Sequence, residues 1–203
     1  MIKTAGFVVV LTSLLFIATG CSSVGPDPYF MIDTTASVYV SPQTDKITKI
    51  AILPFKGPTE LIGSSVSDMF VTEMLKAGRY ELVERSQMSK VLGETELSLA
   101  GLSSSKAVEA ATMLGADGVI IGTVDEYEMK AYKGKTFPTC GMSVRMIDCQ
   151  SGKIVWSVDY SERSDDASDT LSQHGRKSVH QITAGLYQKW IKQKGRKMVS
   201  SAE

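Results

Sequence analysis

The chain has no excess charge of either sign and few histidines, cysteines or aromatic residues. Its 22 basic residues are matched by 22 acidic ones, and there are two histidines and three cysteines among 203 residues. A balanced charge gives no long-range attraction to polyanions, so we expect no nucleic acid as a partner. The 43% hydrophobic content excludes a disordered or collagen-like chain and predicts one main globular domain.

Recognisable catalytic motifs are also missing. The six residues from His174 to His180 turn a helix by about 240°, so these side chains do not share a metal-binding face and are expected to be solvated or capping. Residues 57–65 lack the lysine that a phosphate-binding loop requires, and no nucleophile elbow, HExxH or CxxC sequence is present. We therefore expect no catalytic residue, no metal, no cofactor and no small-molecule substrate.

The first 20 residues have the pattern of a cleaved signal peptide. A basic residue and an apolar run lead to Ala-Thr-Gly-Cys ending at Cys21, which resembles the cleavage site of a bacterial lipoprotein. The resemblance implies that Cys21 is acylated, and Ser22 in place of an inner-membrane retention signal favours the outer membrane, facing the periplasm. An uncleaved anchor is the alternative, but the apolar run at 5–20 is shorter than the roughly 20 residues that span a bilayer.

Proline and glycine suggest where the folded body begins. Segments 25–28 and 41–42 interrupt regular structure and indicate a spacer that holds the body away from the membrane. The expected regions are a signal peptide at 1–20, an acylated cysteine with a spacer at 21–48, the folded domain at 49–194 and a basic tail at 195–203.

The folded body predicts alternating strands and helices. Residues 49–55 and 80–84 indicate two strands joined by a helix over 64–78, a unit whose strands are parallel. A short helix from Ser86, an alanine-rich helix before Gly115 and a central strand at 118–124 follow. Residues 142–148 and 153–160 alternate as a hairpin, and the predicted buried residues are Val144, Met146, Ile154, Trp156 and Val158.

A last helix carries an apolar stripe, formed by Val179, Ile182, Leu186 and Trp190. Together the elements predict an α/β fold with a mixed sheet of about five strands and flanking helices.

Several of these segments are similar to motifs of the CsgG family, whose namesake is the curli secretion channel of the outer membrane. The similar segments are IAILPF at 50–55, VERSQM at 83–88, LGADG at 114–118 with GTV at 122–124, and SGKIVW at 151–156. They fall between residues 49 and 161. The resemblance implies a mixed α/β periplasmic domain, similar also to the amino-terminal domain of TolB and to LpoB.

The sequence departs from the channel pattern where a pore would form. A membrane-crossing hairpin takes roughly 20 residues plus a turn, whereas 12 residues separate Tyr127 from Cys140, and several of them are lysines. We therefore expect a non-enzymatic scaffold or accessory in envelope assembly or secretion, bound to other envelope proteins or to itself. A curli-type channel subunit in an oligomeric ring is the alternative; an enzyme that hydrolyses or binds a nucleotide is a third.

The remaining two cysteines and the basic carboxy-terminal segment each allow more than one interpretation. If Cys140 and Cys149 lie along one strand they are roughly 30 Å apart, too far for a disulfide, so they are expected to be small buried hydrophobes or to bridge two chains. The carboxy-terminal segment is basic and fits a solvated helix face or contact with anionic lipid head groups. Its basic residues are Arg176, Lys177, Lys189, Lys192, Lys194, Arg196 and Lys197.

Overall fold

The computed structural model describes residues 32–42, 46–84, 86–91 and 103–200, with the backbone alone from residue 193 onward. The predicted signal peptide and Cys21 lie outside the described residues. The elements in chain order are β1 Ser37–Val40, β2 Lys49–Ile52, α1 Glu60–Ala77, β3 Glu81–Leu82, α2 Ser104–Met113, β4 Gly118–Tyr132, β5 Lys135–Asp148, β6 Ile154–Arg163 and α3 Leu171–Ser200. Residues 86–91 are also helical.

The strands form one mixed sheet in the order β1-β6-β5-β4-β2-β3. β2 is parallel to β3 and to β4, as a strand–helix–strand crossover requires, and the other pairs are antiparallel. This confirms the predicted α/β class, with six strands in the described residues where about five were expected.

The additional strand is β1, which lies in the segment predicted to be a spacer. Ser37 to Val40 pair antiparallel with Asp159 to Trp156 of β6. The expectation of irregular structure was wrong here because Pro42 follows the strand instead of interrupting it. Val38 and Val40 face the core while Tyr39 is exposed, so the four residues alternate as a half-buried edge strand.

Helix α1 begins one turn earlier than predicted. Thr59 is the N-cap and its side chain accepts a hydrogen bond from the backbone N–H of Ile62. Gly78 ends the helix with a φ of 61°, as the predicted C-cap glycine should. Helix α3 continues to Ser200, so residues 195–200 of the predicted tail are helical.

The hairpin of β4 and β5 is much longer than predicted. The expected strands stop at Val124 and start again at Met142, but β4 runs to Tyr132 and β5 starts at Lys135. Lys133 and Gly134 both have positive φ, at 50° and 75°, which is the two-residue turn that closes a tight hairpin. The added part of β4 does alternate, with Tyr127, Met129 and Ala131 at every second position, but so few apolar side chains among many charged ones did not extend the predicted strand beyond Val124.

Two apolar cores lie on opposite faces of the sheet. The larger core packs α1 and α3 against the sheet and contains the predicted stripe of α3. The smaller packs α2 and residues 86–91 against the other face. One predicted core residue is wrong: Ile154 is 46% exposed, because a register shift beside Met146 places Val155 in the core next to the correctly predicted Trp156.

Candidate interaction surfaces

Each of the two histidines contacts another element of the fold. His174 is buried, with Nε2 2.9 Å from the carbonyl oxygen of Glu162. The expectation of a solvated or capping histidine was therefore wrong for His174, because the first turns of α3 pack against β6. His180 is partly exposed and its Nδ1 lies 2.8 Å from an Oε of Glu73 on α1. No group of three His, Cys, Asp or Glu side chains in the described ranges is placed to hold a metal ion.

The two described cysteines are free thiols. Cys140 is fully buried in β5, and burial raises the pKa of its thiol to about 11 although Ser178 acts in the opposite direction. Cys149 follows β5 and is half-buried, and burial also raises its pKa. Nucleophilic cysteines have lowered pKa values, so neither thiol has the character of a catalytic group.

Asp117 in the LGADG segment serves the fold. One of its carboxylate oxygens accepts hydrogen bonds from the Thr48 hydroxyl at 2.6 Å, the Lys49 N–H at 2.9 Å and the Thr48 N–H at 3.1 Å. The Thr48 hydroxyl, followed by the Lys49 N–H, holds the pKa of Asp117 below its ordinary value. The segment thus fastens the start of β2 to the start of β4.

An open groove of about 620 Å³ lies along the outer face of α1 and reaches Arg176 of α3. Leu61 stands 79% exposed at its rim, and Glu73 in its wall bonds both Lys76 at 2.6 Å and His180. The lining side chains are apolar, hydroxylic and charged with both signs: Leu61, Ser64, Ser65, Asp68, Met69, Thr72, Glu73, Lys76 and Arg176. We call this the α1 groove.

The far end of the β4–β5 hairpin carries an aromatic and cationic cluster. The rings of Tyr132 and Phe137 meet edge to face with centroids 6.4 Å apart. The guanidinium carbon of Arg163 lies 3.8 Å from the Tyr132 centroid, and the Lys133 ammonium lies 5.1 Å from it. We call residues 130–137 with Arg163 the hairpin tip. Sequence reasoning missed this cluster because it depends on the unpredicted length of the hairpin.

The described chain starts against the carboxy-terminal half of α3. The side-chain amide of Gln188 donates to the carbonyl oxygen of Ile32 at 2.7 Å, and the Thr34 hydroxyl donates to the carbonyl oxygen of Gln181 at 3.0 Å. Thr34, Ala36 and Val38 all surround the position that a Gly185 Cβ would take. The chain therefore runs toward the start of α3, reverses around Gly185 and returns as β1.

The hairpin tip lies at the opposite end of the molecule. The first turns of α3 pack there, with Gly175 against the Tyr127 ring and His174 against Glu162. Every described helix is either too short or too polar to span a bilayer.

The family described as "Curli production assembly/transport component CsgG" matches residues 33–136, just over half of the chain. The chain belongs to the CsgG family. This confirms the predicted resemblance, and the CsgG match begins inside the predicted spacer, where β1 joins the sheet. No curated protein sequence is significantly similar to the chain.

Two solved PelC structures share the fold of this CsgG-family chain. A PelC dodecamer from Paraburkholderia phytofirmans is 20% identical, with 76% of this chain and 98% of that one covered and a TM-score of 0.55. A variant PelC dodecamer from the same organism is 18% identical, with 74% and 96% covered and a TM-score of 0.56. Lipoprotein GNA1162 from Neisseria meningitidis is 21% identical, with 66% and 97% covered and a TM-score of 0.49.

Proposed function

We propose that this protein is a non-enzymatic lipoprotein of the outer membrane that acts in envelope assembly or transport and works as an assembly of identical subunits. The observation that carries the proposal is the CsgG family match, because the family is described as an assembly and transport component. The sequence adds the lipoprotein pattern at Cys21.

The proposed anchor leaves the folded body close to the membrane. Ten residues lie between Cys21 and Ile32, and the eleven Cα-to-Cα steps that join the two span at most about 40 Å when fully extended. Several acyl chains on one cysteine hold a protein to a bilayer where a single chain binds only marginally. In this proposal residues 1–20 are removed, and the folded body begins near residue 32, earlier than the sequence suggested.

Self-assembly is supported by the fold that this chain shares with PelC, which was solved as a dodecamer. A subunit contact needs a surface that exposes apolar side chains together with polar partners. The α1 groove offers Leu61 beside Asp68, Glu73, Lys76 and Arg176. Because both signs of charge line it and the chain is neutral overall, a second copy fits this groove better than a strongly charged partner does.

A curli-type secretion subunit is the second candidate, favoured by the words "assembly/transport" in the family description. It differs from a scaffold in requiring a ring with a continuous central opening. A scaffold requires no opening.

The deciding experiment is the mass and shape of the native protein extracted from membranes in mild detergent, by light scattering and negative-stain microscopy. We expect a defined oligomer, and a central opening would favour secretion over a scaffold. A monomer at all concentrations would contradict the proposed assembly but not the proposed anchor.

Leu61→Arg tests the α1 groove as the contact between subunits. Met113→Arg on α2 is the matched control, because Met113 is also a largely exposed apolar residue.

A further inference from the structure

A lysine-rich surface surrounds the place where the described chain starts. Trp190 of α3 packs edge to face on Tyr80 at 5.8 Å, and Tyr80 directly precedes β3, whose first residue pairs in register with Lys49 of β2. The carboxy-terminal half of α3 therefore lies at the end of the sheet where β2, β3 and β4 begin. We call this end the base and define it by four exposed lysines, Lys46, Lys153, Lys189 and Lys192.

The positive charge of the base is only partly balanced. Glu81 forms an ion pair with Lys49 at 3.7 Å, and Asp117 is occupied by Thr48 and Lys49. Asp148 accepts hydrogen bonds from two backbone N–H groups in the β5–β6 turn, and Asp33 is exposed where the chain starts. The helical backbone of α3 continues past Lys192 to Ser200, through a stretch with further Lys and Arg and no acid.

The basic residues of the carboxy-terminal segment, which the sequence analysis treated as one group, lie at two different ends of α3. Arg176 donates to Ser172, and Lys177 forms an ion pair with Asp169 at 2.7 Å, both near the hairpin-tip end. Lys189 and Lys192 lie at the base, within about one turn of Gln188, whose side chain donates to the carbonyl oxygen of Ile32. The segment that leads to Cys21 therefore leaves the folded body beside the basic end of α3.

We propose that the base faces the membrane, that residues 189–200 of α3 bind anionic lipid head groups there, and that the hairpin tip points away. The orientation rests on the proposed anchor at Cys21, because the tether leaves from the base and is at most about 40 Å long. Clustered lysines near an anionic bilayer strengthen binding roughly fivefold each, and such a cluster supplies a second attachment beside an acyl anchor.

The test is amide hydrogen exchange of the full acylated protein on phosphatidylcholine vesicles with and without phosphatidylglycerol. We expect residues 189–200 to exchange about fivefold more slowly on the anionic vesicles, with the difference lost at high salt. The triple change Lys189→Gln, Lys192→Gln and Lys194→Gln should abolish the slowing. The matched control Lys106→Gln, Lys133→Gln and Lys135→Gln removes the same charge from exposed sites elsewhere and should retain it.

Two results would overturn this proposal: equal exchange of residues 189–200 on both vesicle types, or protection of the hairpin tip in their place. Flotation with pure phosphatidylcholine vesicles reports the anchor separately. Failure to float with pure phosphatidylcholine vesicles would contradict the acyl anchor alone. The lipid-binding base would still be supported if residues 189–200 were protected on anionic vesicles and the triple lysine change removed that protection.

Discussion

Gly63 of α1 lies directly against the backbone of Phe55, so that a Cβ on Gly63 would be 1.9 Å from the Phe55 carbonyl oxygen. The contact seats α1 on the segment that follows β2. Any side chain at position 63 must push the helix away from this segment.

We expect Gly63→Ala to lower the free energy of unfolding by about 2–3 kcal/mol, because backbone atoms cannot move aside as a flexible side chain can. Urea denaturation monitored by circular dichroism measures the change. Gly78→Ala is the control: its φ of 61° is strained for alanine, yet no atom lies within 4 Å, so the loss should be only about 1 kcal/mol. Equal losses in the two variants would contradict the close contact.

Asp117 should contribute to stability in a pH-dependent manner. Because the pKa of its carboxyl is held below the ordinary value of 3.8, the contribution is complete above that value and is lost as the pH falls through the lower folded value. Asp117→Asn keeps an acceptor oxygen but loses the charge, so at neutral pH it should cost about 1 kcal/mol for this exposed group.

Unfolding free energies of wild type and Asp117→Asn, measured from pH 7 down to pH 3, check this expectation. The difference between the two proteins should shrink as the pH falls. Asp125→Asn, the same charge change on the exposed surface of β4, is the control. A difference that stays constant across the range would show that the carboxylate charge plays no part.

The two cysteines should differ in reactivity in the native protein. Cys140 is fully buried with a pKa of about 11, so it should resist iodoacetamide at pH 8 until the protein unfolds. Cys149 is only half-buried and should react first, though more slowly than a fully exposed cysteine with an ordinary pKa because its own pKa is also raised. Peptide mass spectrometry after timed alkylation identifies the modified thiol. Rapid native labelling of Cys140 would contradict its place in the core.

The two histidines offer a matched pair of substitutions. His174→Ala removes a buried ring and leaves the Glu162 carbonyl without its partner, so we expect a loss of about 2–3 kcal/mol. His180→Ala removes a partly exposed ring from Glu73, which retains Lys76, and should cost about 1 kcal/mol or less. Thermal or urea unfolding of both variants gives the order, and the reverse order would be inconsistent with the described packing.

The predictable parts of the fold are the segments in which the local pattern of apolar residues indicates which side chains are buried. The apolar run at 49–55 is nearly continuous, as expected for a strand that is buried on both faces. The helix face of Phe70 and Met74 and the stripe ending at Trp190 repeat at three to four residues, the period of a helix. The family motifs added their order along the chain. These segments are sufficient to predict the class of fold and most of its strands.

The surfaces proposed to function could not be predicted in the same way. The α1 groove has Glu73 in its wall, and Glu73 contacts His180, 107 residues away, only because α1 packs beside α3. The hairpin tip depends on the two-residue turn at Lys133 and Gly134, which brings Tyr132 and Phe137 together, and its Arg163 comes from another strand. The place of Ile32 beside Gln188 likewise depends on a contact between distant segments.

The reversal of the chain around Gly185 has a mechanical consequence for a tethered protein. A pull on Ile32 toward the base meets β1 at Ser37, the end of that strand farther from the base. The load therefore peels the β1–β6 hydrogen bonds one after another instead of shearing them together. Residues 32–42, once released, would then lengthen the tether by up to about 30 Å, while the other strands of the sheet stay paired.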